Sequence, residues 1–280
     1  MKIDVALPVR AALGEGPTWY HDRLIWVDIP ACEVHEYIPA SGTDSVREVP
    51  QHVGAAKPRA GGGLVVNLRD GAGLLAAGGG FRWLAEWPIE GRRGNDAGVD
   101  PHGNLWAGTL SYGGGGGSLY RVTPDGEVVT FLDRVGTSNG IAWSPDGALM
   151  YYVDTDTGRV DVFDTDPEGG LPRGRRTFAE IDRGLPDGIT VDADGCVWVA
   201  LWDGAAVRRY TPGGDLDREV EVPVSRPTAC AFGGPGLADL YITSATEGLP
   251  EATLAAEPLS GALLVVPSAG LGLPGTPFAG

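Results

Sequence analysis

The sequence predicts an all-β protein, a six-bladed β-propeller forming a single domain over residues 1–280, from three observations. Short apolar runs are punctuated by turns rich in glycine and proline. The turns share a composition, and they recur at a period of about 40 residues without a break. Amphipathic helical patterns are scarce, which removes the main alternatives to an all-β chain.

Taken in order, the apolar runs are 24–29 (LIWVDI), 63–68 (GLVVNL), 104–109 (NLWAGT), 151–155 (YYVDT), 197–202 (VWVALW) and 240–245 (LYITSA). Each follows a turn of related type: YHDR, PRAGG, DPHGN, SPDGA, DADGC and GGPGLAD. Asp and Asn bond the local backbone in such turns, and glycine tolerates positive φ. Further strand pairs follow most turns, as in 118–132 and 205–220. Six copies of a four-stranded unit fit the length, as a propeller requires. A single repeat running through the chain argues for one domain. Residues 3–8 are expected to add a strand to the blade near 228–268, which closes the ring and removes an exposed edge.

Composition narrows the function. The 21 Lys and Arg against 37 Asp and Glu give a net charge of −16. Phosphate backbones and anionic lipids repel such a surface, so no nucleic-acid or membrane partner is expected. Cys32, Cys196 and Cys230 are widely spaced with no CxxC pair, which disfavours a disulfide framework or a thiolate zinc site. The opening MKIDVALPVR has no signal-like apolar run, so the expected location is cytoplasmic. The sequence carries no signal of oligomeric state.

The repeat also locates a candidate site. Glu15, Asn95 and Asp187 each stand 11 residues before a tryptophan, Trp26, Trp106 and Trp198. Asn139 stands in the same register before SPDGALMYY, with one residue more. Blade two offers Gly54 or Ala55 there, and blade six offers Thr228, a pocket residue or a neutral filler. Equivalent positions of different blades form a ring around the propeller axis. Oxygen donors at the starts of innermost strands, facing one tunnel mouth, suit a hard divalent cation.

At these residues the chain resembles the SMP-30/gluconolactonase family, which includes regucalcin. The motifs are LGEGPTW (13–19), RRGNDAGVDPHGNLWAGT (92–109), SNGIAWSPDG (138–147) and LPDGITVDADGCVWVA (185–200). The resemblance implies a six-bladed propeller with an axial divalent cation and hydrolysis of sugar lactones. It implies Glu15, Asn139 and Asp187 as metal ligands, and Arg93 and Asn95 as substrate contacts, with Asn95 near the metal in some relatives. Ca²⁺ is the expected cation, with Zn²⁺, Mg²⁺ or Mn²⁺ as alternatives. The sequence departs from the family in 111–120 (SYGGGGGSLY), where relatives carry a longer loop with an acidic residue that touches the sugar.

The expected chemistry is ring opening of a small-molecule lactone. The cation polarises the carbonyl and activates water, and Asp187 accepts the proton. Two other readings use the same ligands: a non-catalytic calcium-binding or regulatory protein, and a hydrolase of organophosphates or other esters. Asp96 reads as a support or turn residue, and Asp100, Asp146 and Asp192 as turn residues. The four histidines show no ligand spacing and read mostly as exposed. Two patterns are set aside. The G-x-S-x-G match at 136–140 has every histidine before Ser138 and no helix after it. The glycine run at 113–117 lacks a phosphate-loop ending and reads as a flexible rim segment.

Overall fold

The computed structural model describes residues 1–280 as six four-stranded antiparallel sheets. The chain opens with β1 (Asp4–Leu7). Blade one is β2 (Gly14–Tyr20), β3 (Arg23–Asp28), β4 (Glu33–Ile38) and β5 (Thr43–Glu48). Blade two is β6 (Val53–Pro58), β7 (Leu64–Leu68), β8 (Gly71–Leu75) and β9 (Phe81–Glu86). Blade three is β10 (Arg92–Val99), β11 (Leu105–Ser111), β12 (Gly117–Val122) and β13 (Val128–Val135). Blade four is β14 (Ser138–Trp143), β15 (Leu149–Asp154), β16 (Arg159–Asp164) and β17 (Arg173–Glu180). Blade five is β18 (Leu185–Val191), β19 (Val197–Trp202), β20 (Ala206–Tyr210) and β21 (Leu216–Glu221). Blade six combines β22 (Pro227–Gly233), β23 (Asp239–Ser244) and β24 (Leu263–Val266) with β1. All six apolar runs fall within two residues of an observed strand.

The ring closes as expected. β1 pairs antiparallel with β24, Asp4 opposite Val265 and Val5 opposite Leu264. The start of the chain thus covers the edge that the last blade would otherwise expose. A second latch lies at the axis, where the buried Thr228 hydroxyl donates to the Gly14 carbonyl at 2.5 Å. Thr228 therefore joins blade six to blade one.

Apolar residues pack between neighbouring blades. Trp198, Val207, Val220, Phe232, Leu240 and Leu264 form one such cluster between blades five and six. The repeated turn acids hold the tryptophans behind the inner strands. Asp100 accepts from the Trp106 indole and Asp192 from the Trp198 indole, both at 2.8 Å. Each also accepts backbone N–H groups of its own turn, so both are structural. Blade one differs: Trp26 stacks on His35 at 3.9 Å, and His35 bonds Asp44 at 2.7 Å. His35 is therefore buried, unlike the exposed histidine the sequence suggests, because it packs against the tryptophan of its own blade. The only α-helix is α1 (Glu251–Ala256), in the connection between β23 and β24. No helix is long and apolar enough to cross a membrane.

Candidate cation and substrate site

The six innermost strands share a defect that builds the site. Each breaks its pairing register near its start: between Glu15 and Thr18, Val53 and Ala55, Gly94 and Ala97, Ser138 and Ile141, Pro186 and Ile189, and Pro227 and Cys230. An extra residue in one strand bends it and re-aims the side chains there. Asn95, Asn139, Asp187 and Thr228 lie inside these breaks, and Glu15 borders its own. The sequence register that aligned them is thus a ring of bulges at one end of the tunnel.

Glycine lets the inner strands approach closely at this level. A Cβ on Gly54 would lie 2.1 Å from the Asn95 carbonyl oxygen, and one on Gly140 would lie 2.6 Å from that of Asp187. Blade two therefore contributes no side chain to the ring at Gly54, because the backbone of blade three fills that space.

The candidate residues are all buried: Glu15, Asn95 and Asp187 are 4% exposed, Asn139 6% and Arg93 9%. The Asn139 amide nitrogen donates to Thr155 Oγ1 at 3.1 Å, and that hydroxyl donates to the Pro186 carbonyl at 2.9 Å. This relay fixes the Asn139 amide and leaves its Oδ1 without a partner. Asp187 Oδ1 is likewise buried and unpartnered. Glu15 Oε2 accepts from the Gly16 amide at 2.9 Å. Unpaired buried acceptors cost free energy unless a donor or cation satisfies them. No cluster of three His, Cys, Asp or Glu side chains offers a metal site; the oxygen-bearing side chains at this level include those of Glu15, Asn139 and Asp187.

The buried carboxylates at this level resist ionisation. Burial pushes Glu15 up to about 8, helped by the nearby Asp96 charge. Burial also raises Asp187, with Glu15 and Asp96 adding to it, and raises Asp96. Glu15 and Asp187 therefore each resist ionisation beside the other, and a positive charge placed between them would relieve both. Oxygen donors of this kind suit Ca²⁺ or Mg²⁺.

Arg93 is not a solvated charge. Its Nη1 donates to the Gly94 carbonyl at 2.9 Å and to Asn95 Oδ1 at 2.7 Å, and Asn95 Nδ2 donates to the Ser138 carbonyl at 2.9 Å. Asn95 thus orients Arg93. Burial pulls the guanidinium below its usual value, against the opposing influence of Tyr112, Glu247, Glu15 and Asp187. The exposed Tyr112 belongs to the segment that carries the glycine run. Ser138, centre of the G-x-S-x-G match, is fully buried and accepts from the Tyr152 hydroxyl at 2.9 Å. It is unsuited to act as a nucleophile.

Sequence reasoning missed Lys57, which sits on blade two outside the repeated register, where a lone charge reads as surface. A cavity of about 490 Å³ is lined by residues that follow the candidate ligands along the inner strands, including Trp19, Ile141, Trp143 and Phe232. It therefore opens at the opposite end of the tunnel, with Lys57 and Asp96 reaching its wall.

Residues 13–246 match the profile of the SMP-30/gluconolactonase/LRE-like region. The chain is 40% identical to a 6-deoxy-6-sulfogluconolactonase of Pseudomonas putida over 261 residues, 90% of this chain and 89% of that protein. It is 33% identical to a regucalcin of Xenopus laevis over 302 residues, covering 100% and 99% of the two chains. It superposes with a TM-score of 0.93 on the crystal structure of a calcium-binding protein, regucalcin, of Agrobacterium tumefaciens. Those two chains are 32% identical, with 98% of this one and 96% of that one covered.

Proposed function

Because the chain belongs to the SMP-30/gluconolactonase/LRE-like family, we propose that it hydrolyses a sugar lactone at the ring of inner-strand bulges. In this reading Glu15, Asn139 and Asp187 hold one divalent cation, with Ca²⁺ the first candidate. The observation that carries the reading is the pair of buried, unpartnered oxygens, Asn139 Oδ1 and Asp187 Oδ1, beside the Glu15 carboxylate. The relative named as a lactonase supports the reaction class, and the solved structure titled as a calcium-binding protein supports the choice of cation.

A cation bound there supplies a Lewis acid for the lactone carbonyl and for the water that attacks it. Asp187 accepts the proton released as water adds to the carbonyl carbon, and returns it to the ring oxygen as the C–O bond breaks. A lactone is already an activated ester, so a carboxylate whose basicity is lowered by a bound cation suffices as the base. Arg93, held by Asn95, orients the substrate through its remaining N–H groups. The acidic residue expected in the 111–120 segment is missing, and that segment instead presents Tyr112.

The test is hydrolysis of D-glucono-1,5-lactone by protein stripped of metal and then titrated with Ca²⁺. The proposal expects turnover only with cation present. Full turnover in stripped protein, with no cation detected by elemental analysis, rejects it. A second reading is favoured by the regucalcin relatives: cation binding without catalysis. It predicts saturable Ca²⁺ binding and no hydrolysis of any lactone above the uncatalysed rate.

A further inference from the structure

Blade two supplies no donor to the ring, yet it places a buried ammonium beside it. Lys57, on β6, is 9% exposed. Its Nζ donates to Thr18 Oγ1 at 2.7 Å and to the Gly16 carbonyl at 3.2 Å. Thr18 Oγ1 in turn lies 3.4 Å from that same carbonyl. All three contacts fall on the register break of β2, and Gly16 there has φ of +57°. Gly16 is also the residue whose amide holds the Glu15 carboxylate at 2.9 Å. Blade two thus reaches across to the backbone unit that aims Glu15.

Burying an ammonium costs several kcal/mol unless partners offset it. The partners are present: a carbonyl, a hydroxyl, and the charges of Asp96 and Glu15. No carboxylate lies within salt-bridge distance of Nζ, so the direct bonds of Lys57 all go to the bulge.

We infer that Lys57 is a positioning residue for the cation site, its ammonium pinning the Gly16–Thr18 bulge so that the Glu15 carboxylate meets the ring. This rests on the reading of Glu15 as a cation ligand. The charge of Lys57 alone makes the opposite prediction: removing a neighbouring positive charge should tighten binding of another cation. The sign of the change therefore separates positioning from simple electrostatics.

The experiment is calorimetric titration of the full chain with Ca²⁺, comparing wild type with Lys57→Met, Thr18→Val, Glu15→Gln and Lys57→Met/Glu15→Gln. Groups that orient a metal ligand typically contribute roughly 10- to 100-fold in affinity. Lys57→Met should weaken Ca²⁺ binding by about tenfold or more. Adding it to Glu15→Gln should cause no further loss, because both act through one carboxylate. Thr18→Val keeps the charge and removes its shortest anchor, so it should weaken binding in the same direction; it decides the matter if Lys57→Met does not fold. Unchanged or tighter binding in the folded Lys57→Met or Thr18→Val protein overturns the inference. Binding by Glu15→Gln as tight as wild type overturns the reading of Glu15 itself, which is a separate failure.

Discussion

At the scale of single residues, the site is distinguished by unsatisfied chemistry. Asn139 and Asp187 keep one oxygen each without a partner, while the neighbouring Asn95 spends both ends of its amide within the protein. This separates ligand from orienting residue and gives opposite expectations for two substitutions. Asp187→Ala removes a ligand and the proposed base, so Ca²⁺ affinity and lactone turnover should both collapse. Arg93→Ala should not weaken Ca²⁺ affinity, while lowering kcat/KM by roughly 10- to 150-fold, the worth of a charged hydrogen bond. Calorimetry beside steady-state kinetics reads both, and equal loss of affinity in the two variants contradicts the assignment. The raised proton affinity of Glu15 adds a pH signature. Its folded value, about 8, lies above its ordinary value of 4.5, so the stabilisation it confers is present at low pH and is lost as pH rises through about 8. Chelator-treated protein should therefore melt at progressively lower temperature between pH 6 and 8, and Glu15→Gln should flatten that slope. A melting temperature that climbs over this window in wild type alone would contradict the account.

At the scale of elements, the bulge is the working unit. Every inner strand carries one at the same level, and glycine allows neighbouring strands to touch there. Gly54→Ala would place a methyl 2.1 Å from a backbone oxygen of blade three. Relief requires the strands to separate, at a cost of about 1–3 kcal/mol or more in urea unfolding. A change below about 0.5 kcal/mol, the usual size for an unimportant surface position, would contradict this packing. The repeat made much of this legible before any coordinates. Asn95 and Asp187 stood out because each precedes a fixed landmark, Trp106 or Trp198, held by Asp100 or Asp192, and Glu15 because it precedes Trp26, which stacks on His35. Lys57 was not legible, since its meaning depends on a contact with Gly16 some 41 residues away. Nor was the burial of His35, which depends on stacking against Trp26 in its own blade.

At the scale of the whole molecule, ring closure and the axial site depend on each other. β1 completes blade six, and Thr228 of that blade bonds the residue before Glu15. Deleting residues 1–7 should expose the edge of β24, lower the melting temperature and promote association. Melting curves and light scattering check this, and a stable monomer would contradict it. The net charge of −16 does not create the site but surrounds it with a field that attracts cations. The central claim is that the bulges of blades one, four and five converge on one ion. Anomalous diffraction from crystals soaked in Mn²⁺ tests it most directly. The account predicts one strong peak, with oxygens of Glu15, Asn139 and Asp187 about 2.0–2.6 Å away. A peak that excludes any of the three, or saturating Mn²⁺ with no peak between them, would contradict it.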